Sequence, residues 1–383
     1  LGSSESLAEP CATMDLELDH TTRTLLEGYG FDRELFAQLR ARFLAGELSA
    51  AANRLRGRVE PPAKSDIHTL PPRGSETRET LAQRGAAALR AGEVGCVVLA
   101  GGMATRFGGV VKAGVEALAG RSFLSLKIAD IRRVARQAGG QVPVCLMSSF
   151  ATHEVLLELA AREQSEEAPI EVFPQLISLR MSPDGSLFQE DGRPSPYAPG
   201  HGDLTFALRR AGTLARFLGR GGRVLATSNV DNLGATLDAA IIGAHLQAEV
   251  AMTVEVGVRT PGELGGAPAR VDGRLQIVED FRFPPGFELG SIPYFNTNTF
   301  VLDARALDRD FALTWFLVRK RVGGRETIQF EHLVGELSAF LSCACLEVPR
   351  DGEDGRFQPA KDPEELERRK PQIERILRAR GIL

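Results

Sequence analysis

Val94-Gly95-Cys96-Val97-Val98-Leu99-Ala100 runs directly into Gly101-Gly102-Met103-Ala104-Thr105-Arg106-Phe107-Gly108-Gly109, and this junction decides the fold. The first run is uncharged and rich in valine, which reads as a strand buried on both faces; a half-exposed strand would alternate. Glycines at its carboxyl end let backbone N–H groups approach a ligand with no Cβ in the way. The loop contains neither G-x-G-x-x-G nor a closing Gly-Lys-Ser/Thr, so it fits neither a dinucleotide fold nor a P-loop. Downstream, Phe123–Gln137 places Leu124, Ile128, Ile131 and Ala135 on one helical face and ends at Gly139-Gly140. Val142–Met147, Ile170–Phe173 and Arg223–Thr227 read as further strands, with helices near His153–Arg162 and Asp203–Phe217 between them. Strands alternating with helices predict an α/β fold whose largely parallel sheet is covered on both faces. Ala269–Val271 and Arg274–Val278 flank Asp272-Gly273, a favoured type I′ turn, so a hairpin is expected and the sheet is mixed.

Upstream of the junction the pattern is helical from about Asp15 to Arg58, with Phe31, Leu35, Phe36, Leu39 and Phe43 at three- and four-residue steps. Val59–Pro72 carries Pro61, Pro62, Pro71 and Pro72 and reads as a linker; Ser75 is the cap of a helix to Ala91. These residues, 1–90, are expected to form a helical N-terminal extension to a main domain over 91–350. The last stretch, 351–383, holds a helix with Asp362 as cap, Pro363 at its first position and Glu364-Glu365 in its first turn. Pro371 is expected to restart that helix, and Arg375, Arg378 and Arg380 before Gly381 suit its C-terminus.

The whole chain excludes several functional classes. It has 383 residues, and 46 Lys and Arg against 50 Asp and Glu leave a net charge of −4, so no basic field exists to hold nucleic acid or an anionic membrane. No apolar run approaches the ~18–20 residues of a membrane span. Leu1–Glu9 lacks the apolar core of a secretory signal. Five cysteines without a C-x-x-C pair point to a reducing, cytoplasmic compartment, with Cys96 and Cys145 packed as small hydrophobes and Cys343 and Cys345 on one face of a strand. There is no H-E-x-x-H, no G-x-S-x-G and no zinc spacing.

Four further segments carry chemistry. Arg106 and Lys112 set two cations beside the glycine loop. In Ala198-Pro199-Gly200-His201-Gly202-Asp203 a histidine between glycines stands on a tight turn, able to donate to a phosphate or sugar hydroxyl, while Asp203 caps the next helix. Ser228-Asn229-Val230-Asp231-Asn232-Leu233-Gly234 follows a buried strand, and a carboxylate at that edge suits Mg²⁺, which takes one or two carboxylates plus substrate phosphates. Along Tyr294–Thr299, Asn296 and Asn298 face one side, opposite Phe295 and Thr297, and two amides on one face can bind vicinal hydroxyls. Lys361, just before the Asp362 cap, is by itself an ordinary surface lysine.

Taken in order, LAGG at 99–102, Lys112, MSSF at 147–150, FPQ at 173–175, PGHGD at 199–203, SNVDNLGATLD at 228–238, GRLQIVE at 273–279, FNTN at 295–298 and VPR…RFQPAK ending at Lys361 resemble the UTP–glucose-1-phosphate uridylyltransferases, within the wider UDP-sugar pyrophosphorylases. The resemblance covers about Val94–Lys361; SNVDNLGATLD and PGHGD are its most specific parts. It implies a nucleotide-diphospho-sugar transferase fold, with 91–350 as the catalytic domain and Mg²⁺ as cofactor. It implies that the nucleotide lies on Leu99, Ala100, Gly101, Gly102, Gln175, Gly200 and Gly202. The sugar phosphate would lie on His201, Asn229, Glu255, Gly266, Asn296 and Asn298. Asp231 would take the metal, and Lys361, Lys112 and Arg106 would neutralise the phosphates during in-line attack on the UTP α-phosphate. The implied partners are UTP and a sugar 1-phosphate. Glucose 1-phosphate is the first expectation, and N-acetylglucosamine or galactose 1-phosphate, or a non-catalytic nucleotide-sugar binder, are the alternatives. Two departures stand out: ATRFGG is closer to the T-R-x-G of the UDP-N-acetylhexosamine pyrophosphorylases, and Lys112 is followed by Ala-Gly. The short segment after Lys361 is too small for the C-terminal β-helix of larger relatives, which leaves a monomer or small homo-oligomer as the expectation.

Overall fold

The computed structural model describes residues 18–260, 262–263 and 265–383; the readings of Leu1–Glu9 and Cys11 lie outside it. The chain divides into two units, the larger being Arg54–Gln175, Gly200–Thr314 and His332–Leu383. Its centre is an eight-stranded sheet built from β1 (Ile67–Thr69), β2 (Val94–Leu99), β3 (Val144–Ser148), β4 (Ile170–Pro174), β5 (Val224–Asn229), β6 (Met252–Val258), β7 (Tyr294–Asp303) and β8 (Cys343–Glu347). The strand order is β1-β8-β6-β7-β5-β2-β3-β4. Every pairing is parallel except those of β7, which runs antiparallel to both β5 and β6. The sheet is therefore mixed but mostly parallel, as the alternating pattern predicts.

Helices of this unit are α3 (Glu76–Arg90), α4 (Phe123–Ala138), α5 (His153–Arg162), α6 (Leu204–Arg210), α7 (Thr213–Gly219), α8 (Ala239–Ala248) and α9 (Pro363–Ala379). Their ends follow local chemistry. The Ser75 side chain accepts from the Arg78 N–H at the start of α3, and Gly139, at φ 72°, closes α4 in the left-handed conformation that glycine adopts without a Cβ penalty. The β2 strand is buried at every position, with Val94 and Val98 in one core cluster and Val97 and Leu99 in another. The expected hairpin is present as Ala267–Val271 with Arg274–Val278, joined through Asp272 (φ 49°) and Gly273 (φ 83°), the two positive φ values a type I′ turn needs.

The smaller unit comprises the described residues 18–53 with Leu176–Pro199 and Trp315–Glu331. It holds α1 (His20–Gly28), α2 (Arg33–Leu44) and the hairpin Phe316–Val322 with Arg325–Glu331. The Tyr197 hydroxyl donates to the Phe330 carbonyl and accepts from its N–H, and Phe43 meets the edge of Phe330.

Five expectations change. The 1–90 extension is not one body, because α1 and α2 belong to the smaller unit while 54–90 belong to the larger. The proline-rich linker contributes β1, an edge strand beside β8, where prolines can flank pairing without interrupting it. The helix expected over Asp203–Phe217 is two, α6 and α7, parted at Gly212, whose φ is 71°. Pro371 lies inside a continuous α9 instead of restarting it, and 351–383 is part of the larger unit. Among the described residues no helix is long and apolar enough to cross a membrane.

Candidate active site

The carboxyl ends of β2, β3, β4 and β5 form one rim, because these strands are parallel neighbours. At β2, the Leu99 carbonyl accepts from the Val230 N–H (3.1 Å) and the Ala100 N–H donates to the Met147 carbonyl (2.9 Å). These two residues thus finish the sheet, and the chain leaves it at Gly101 and Gly102. Gly101 is glycine for a reason of space: a Cβ there would lie 2.5 Å from Gln175 Nε2 and 3.1 Å from the Ser149 backbone nitrogen. The Gln175 amide is therefore packed against the glycine loop, and its Oε1 is buried with no hydrogen-bond partner. A buried acceptor left unpaired is costly and suits a ligand N–H. Ser149, within the MSSF segment, supports the loop by donating to the Gly101 carbonyl (2.8 Å), a role its sequence position alone does not announce.

Lys112 and Asp231 meet directly. Lys112 Nζ lies 2.5 Å from Asp231 Oδ2, with both side chains mostly shielded, at 17% and 13% exposure. Asp231 stands two residues beyond the end of β5, and Lys112 opens a 3₁₀ turn whose N–H donates to the Gly102 carbonyl (3.4 Å). Glycine loop, lysine and carboxylate thus converge without the long-range pairing being visible in the sequence.

Beside them lies an amide cluster. Asn298 Nδ2 donates to Asn229 Oδ1 (3.1 Å), the Asn298 N–H donates to Asn296 Oδ1 (2.9 Å), and the Asn296 N–H donates to the Gly266 carbonyl (2.7 Å). The register of β6 and β7 shifts between Val254 and Val256, and Asn298 takes φ 55° there, a bulge that turns its side chain onto Asn229. Glu279, in the GRLQIVE segment but unassigned from sequence, lies against Gly266: a Cβ on that glycine would be 3.0 Å from either carboxylate oxygen. Burial, with Asp280 beside it, raises the Glu279 carboxyl to about 7, against the opposing pull of Arg282.

The PGHGD turn is placed by packing. Gly200 takes φ 99°, and the Val334 N–H donates to His201 Nδ1 (3.1 Å). With Nδ1 accepting, a neutral His201 carries its proton on Nε2. Gly202 is corrected from a nucleotide contact to a packing residue: it is buried, its N–H donates to the His332 carbonyl (2.9 Å), and a Cβ would sit 2.5 Å from the His332 carbonyl carbon. Asp203 does not cap α6 through its side chain; its buried carboxylate meets His332 Nε2.

Glu255 is likewise corrected. It is 1% exposed and holds Arg356 through two bonds, at 2.5 and 2.7 Å, so it supports the site from inside and offers no acceptor to a sugar. Arg356 and Gln358 in turn grip Asn232, next to Asp231: Asn232 Nδ2 donates to the Arg356 carbonyl (3.1 Å) and Oδ1 accepts from the Gln358 N–H (2.8 Å). Lys361 follows closely, with its backbone N–H on Glu365 Oε2 (2.8 Å) and its side chain exposed. Arg106 is 66% exposed and lies 3.8 Å from Asp362, the residue after Lys361, which brings the glycine loop and the lysine segment to one place.

Known proteins match this chain over most of its length. The family described as UTP–glucose-1-phosphate uridylyltransferase matches residues 36–368. UTP–glucose-1-phosphate uridylyltransferase 2 of Dictyostelium discoideum is 29% identical over 296 residues, which span 72% of this chain and 58% of that protein. The UTP–glucose-1-phosphate uridylyltransferase of Pyrus pyrifolia is 30% identical over 286 residues, 70% of this chain and 60% of its own. The chain thus spans about 60% of the length of these curated relatives. Among solved structures, a uridine diphosphate N-acetylglucosamine pyrophosphorylase from Trypanosoma brucei superposes with a TM-score of 0.76 at 18% identity, covering 94% of this chain and 79% of that one. A UDP-glucose phosphorylase from the same organism gives 0.71 at 22% identity, covering 89% and 76%. The fold is that of the UDP-sugar pyrophosphorylases. With the family match running through the glycine loop, the Lys112–Asp231 pair and the amide cluster, the chain belongs to the UTP–glucose-1-phosphate uridylyltransferase family.

Proposed function

We propose that the protein is a uridylyltransferase that converts UTP and glucose 1-phosphate to UDP-glucose and pyrophosphate. The observation that carries this reading is the Lys112–Asp231 pair, set at the sheet rim between the glycine loop and the Asn229–Asn296–Asn298 cluster. The names of the curated relatives support the substrate pair. The base would lie on Gly101 and Gly102, with the unpaired Gln175 oxygen accepting its imide N–H. The sugar phosphate would lie on the His201 Nε2 donor and the three asparagines, with Glu279 as the acceptor for a hydroxyl.

A single carboxylate is a poor metal site by itself, and among the described residues no group of three His, Cys, Asp or Glu side chains could hold an ion. It fits Mg²⁺ when nucleotide phosphates supply the remaining oxygens. Asp231 would hold the metal, which when bound would neutralise charge on the triphosphate. The chain's own part is positioning and charge. A sugar-phosphate oxygen attacks the α-phosphorus, the bond from the α-phosphorus to the bridging oxygen breaks, and pyrophosphate leaves with the electron pair. Lys112, Lys361 and Arg106 would stabilise the charge on the transferring and leaving phosphates, and no covalent intermediate on the protein is needed.

The loop Thr105-Arg106-Phe107-Gly108 favours one second reading, the same transfer to N-acetylglucosamine 1-phosphate. The free thiols of Cys96, Cys145, Cys343 and Cys345 support a cytoplasmic setting. Pyrophosphate release from UTP, with and without Mg²⁺, across glucose, galactose and N-acetylglucosamine 1-phosphates tests the proposal. Fastest Mg²⁺-dependent release with glucose 1-phosphate is expected. Preference for the amino sugar favours the second reading, and UTP binding with no release from any sugar phosphate overturns catalysis.

A further inference from the structure

The inward face of α4 is apolar except at Lys127 and Asp130, which are 3% and 2% exposed. Neither serves the transfer as described above. Lys127 Nζ donates to the carbonyls of Asn232 (2.6 Å) and Ala235 (2.8 Å), and Asp130 Oδ2 accepts from the Leu237 N–H (2.6 Å). All three backbone groups belong to the loop between β5 and α8, the loop that presents Asp231. Burying an ammonium and a carboxylate is costly, and two apolar side chains would pack α4 at least as well. They would leave two buried carbonyls and an N–H without partners. Apart from a 3.4 Å contact of Asp130 Oδ1 with Arg133 on the same helix, the hydrogen bonds of both charged groups thus go to fixing one piece of backbone. Burial lowers the Lys127 ammonium to about 8, while Asp130 and Asp231 act to keep it charged.

The same loop is tied on its other side. Arg356 Nη2 donates to the Thr236 carbonyl (2.9 Å), and Asn232 bonds to Arg356 and Gln358. The Asp231 loop and the segment leading to Lys361 therefore share one buried foundation, and Lys127 sits beneath its centre.

We propose that Lys127 and Asp130 are positioning residues for the transfer, holding the 232–237 loop so that Asp231 keeps its place opposite Lys112. This inference rests on the uridylyltransferase reading. Neither residue touches substrate; each acts through the loop. Groups that orient a metal-binding carboxylate from behind typically change metal affinity or activity by roughly 10–100-fold when removed.

The test uses the full chain with Lys127→Met and Asp130→Ala, read by amide hydrogen exchange and by pyrophosphate release as Mg²⁺ is varied. In Lys127→Met, exchange over 230–237 is expected to quicken about tenfold, with β2 and β3 unchanged, since two hydrogen bonds of the loop are lost. The half-saturating Mg²⁺ concentration is expected to rise about tenfold. A smaller folded fraction would lower the maximal rate alone and leave that concentration where it was. Unchanged exchange and Mg²⁺ dependence, or exchange quickened evenly across the sheet, would overturn the proposal. If Lys127→Met does not fold, Asp130→Ala, which removes the acceptor of the Leu237 N–H, is measured in the same two ways, and the same results support or overturn the proposal. A wild-type protein that releases no pyrophosphate overturns the reading of the reaction. An active wild type with both variants unchanged overturns this inference alone.

Discussion

In the proposed reaction Lys112 and Asp231 would each have a counterpart in a metal-bound triphosphate, phosphate oxygens for the ammonium and the metal for the carboxylate. At this scale sequence spacing goes a long way: an aspartate just past a buried strand and a lysine just past a glycine loop are both visible in the chain. What spacing cannot show is the partner. The resemblance puts Glu255 on the sugar phosphate, yet it is held by Arg356, a hundred residues downstream, whereas Glu279, which is given no role from the sequence, lies against Gly266. Lys361 is exposed and holds Glu365 through its backbone N–H, so Lys361→Ala is expected to lower kcat by roughly 10²–10³ while leaving the melting temperature unchanged. Parallel kinetic and melting measurements check this. Glu279 gives a pH signature. Its carboxyl is raised to about 7, so it is a better acceptor as pH rises through that value, and the KM for the sugar phosphate should fall over the same range. In Glu279→Gln the part of this pH dependence centred near 7 should be lost, leaving that of the substrate phosphate, whose second ionisation lies at about 6. The sign for stability is opposite: the folded protein holds this proton more tightly, so the Glu279 contribution is present below the usual carboxylate range and is lost as pH rises towards about 7.

Among the elements, those set by a hydrophobic period and a cap were legible. The chain states α3 and α4 almost residue by residue, because α3 has a serine cap and α4 an apolar stripe with a glycine stop. The misreadings have local causes. A proline inside a helix usually costs about 3 kcal/mol, which is why Pro371 reads as a break. The helix α9 runs through it because Leu366 on one side and Ile373, Ile376 and Leu377 on the other are all buried. The strand β1 has only three residues, too few to show a period, and its pairing with β8 is fixed by a partner far along the chain. Another contact is equally hidden. Helices α3 and α8 approach through glycines: a Cβ on Gly85 would lie 1.8 Å from the Ala239 carbonyl oxygen, and one on Gly243 1.9 Å from that of Leu81. Gly85→Ala is therefore expected to destabilise the protein by about 1–3 kcal/mol despite its better helix propensity, a change that denaturant unfolding would measure.

For the molecule as a whole, the α/β class and the mixed sheet follow from the order of strands and helices, while the strand order β1-β8-β6-β7-β5-β2-β3-β4 does not. That order is what brings segments of the chain about 70 to 120 residues apart to one rim: Gly101 beside Gln175, Asp231 beside Lys112, and Asn229 beside Asn298. The central claim is that Asp231 takes the metal together with the nucleotide. Calorimetric titration of UTP into the wild-type protein and Asp231→Asn, each with and without Mg²⁺, addresses it directly. Mg²⁺ should tighten UTP binding to the wild type by about tenfold, ~1.4 kcal/mol, and leave the variant's affinity unaltered. Equal tightening in both proteins would contradict the claim.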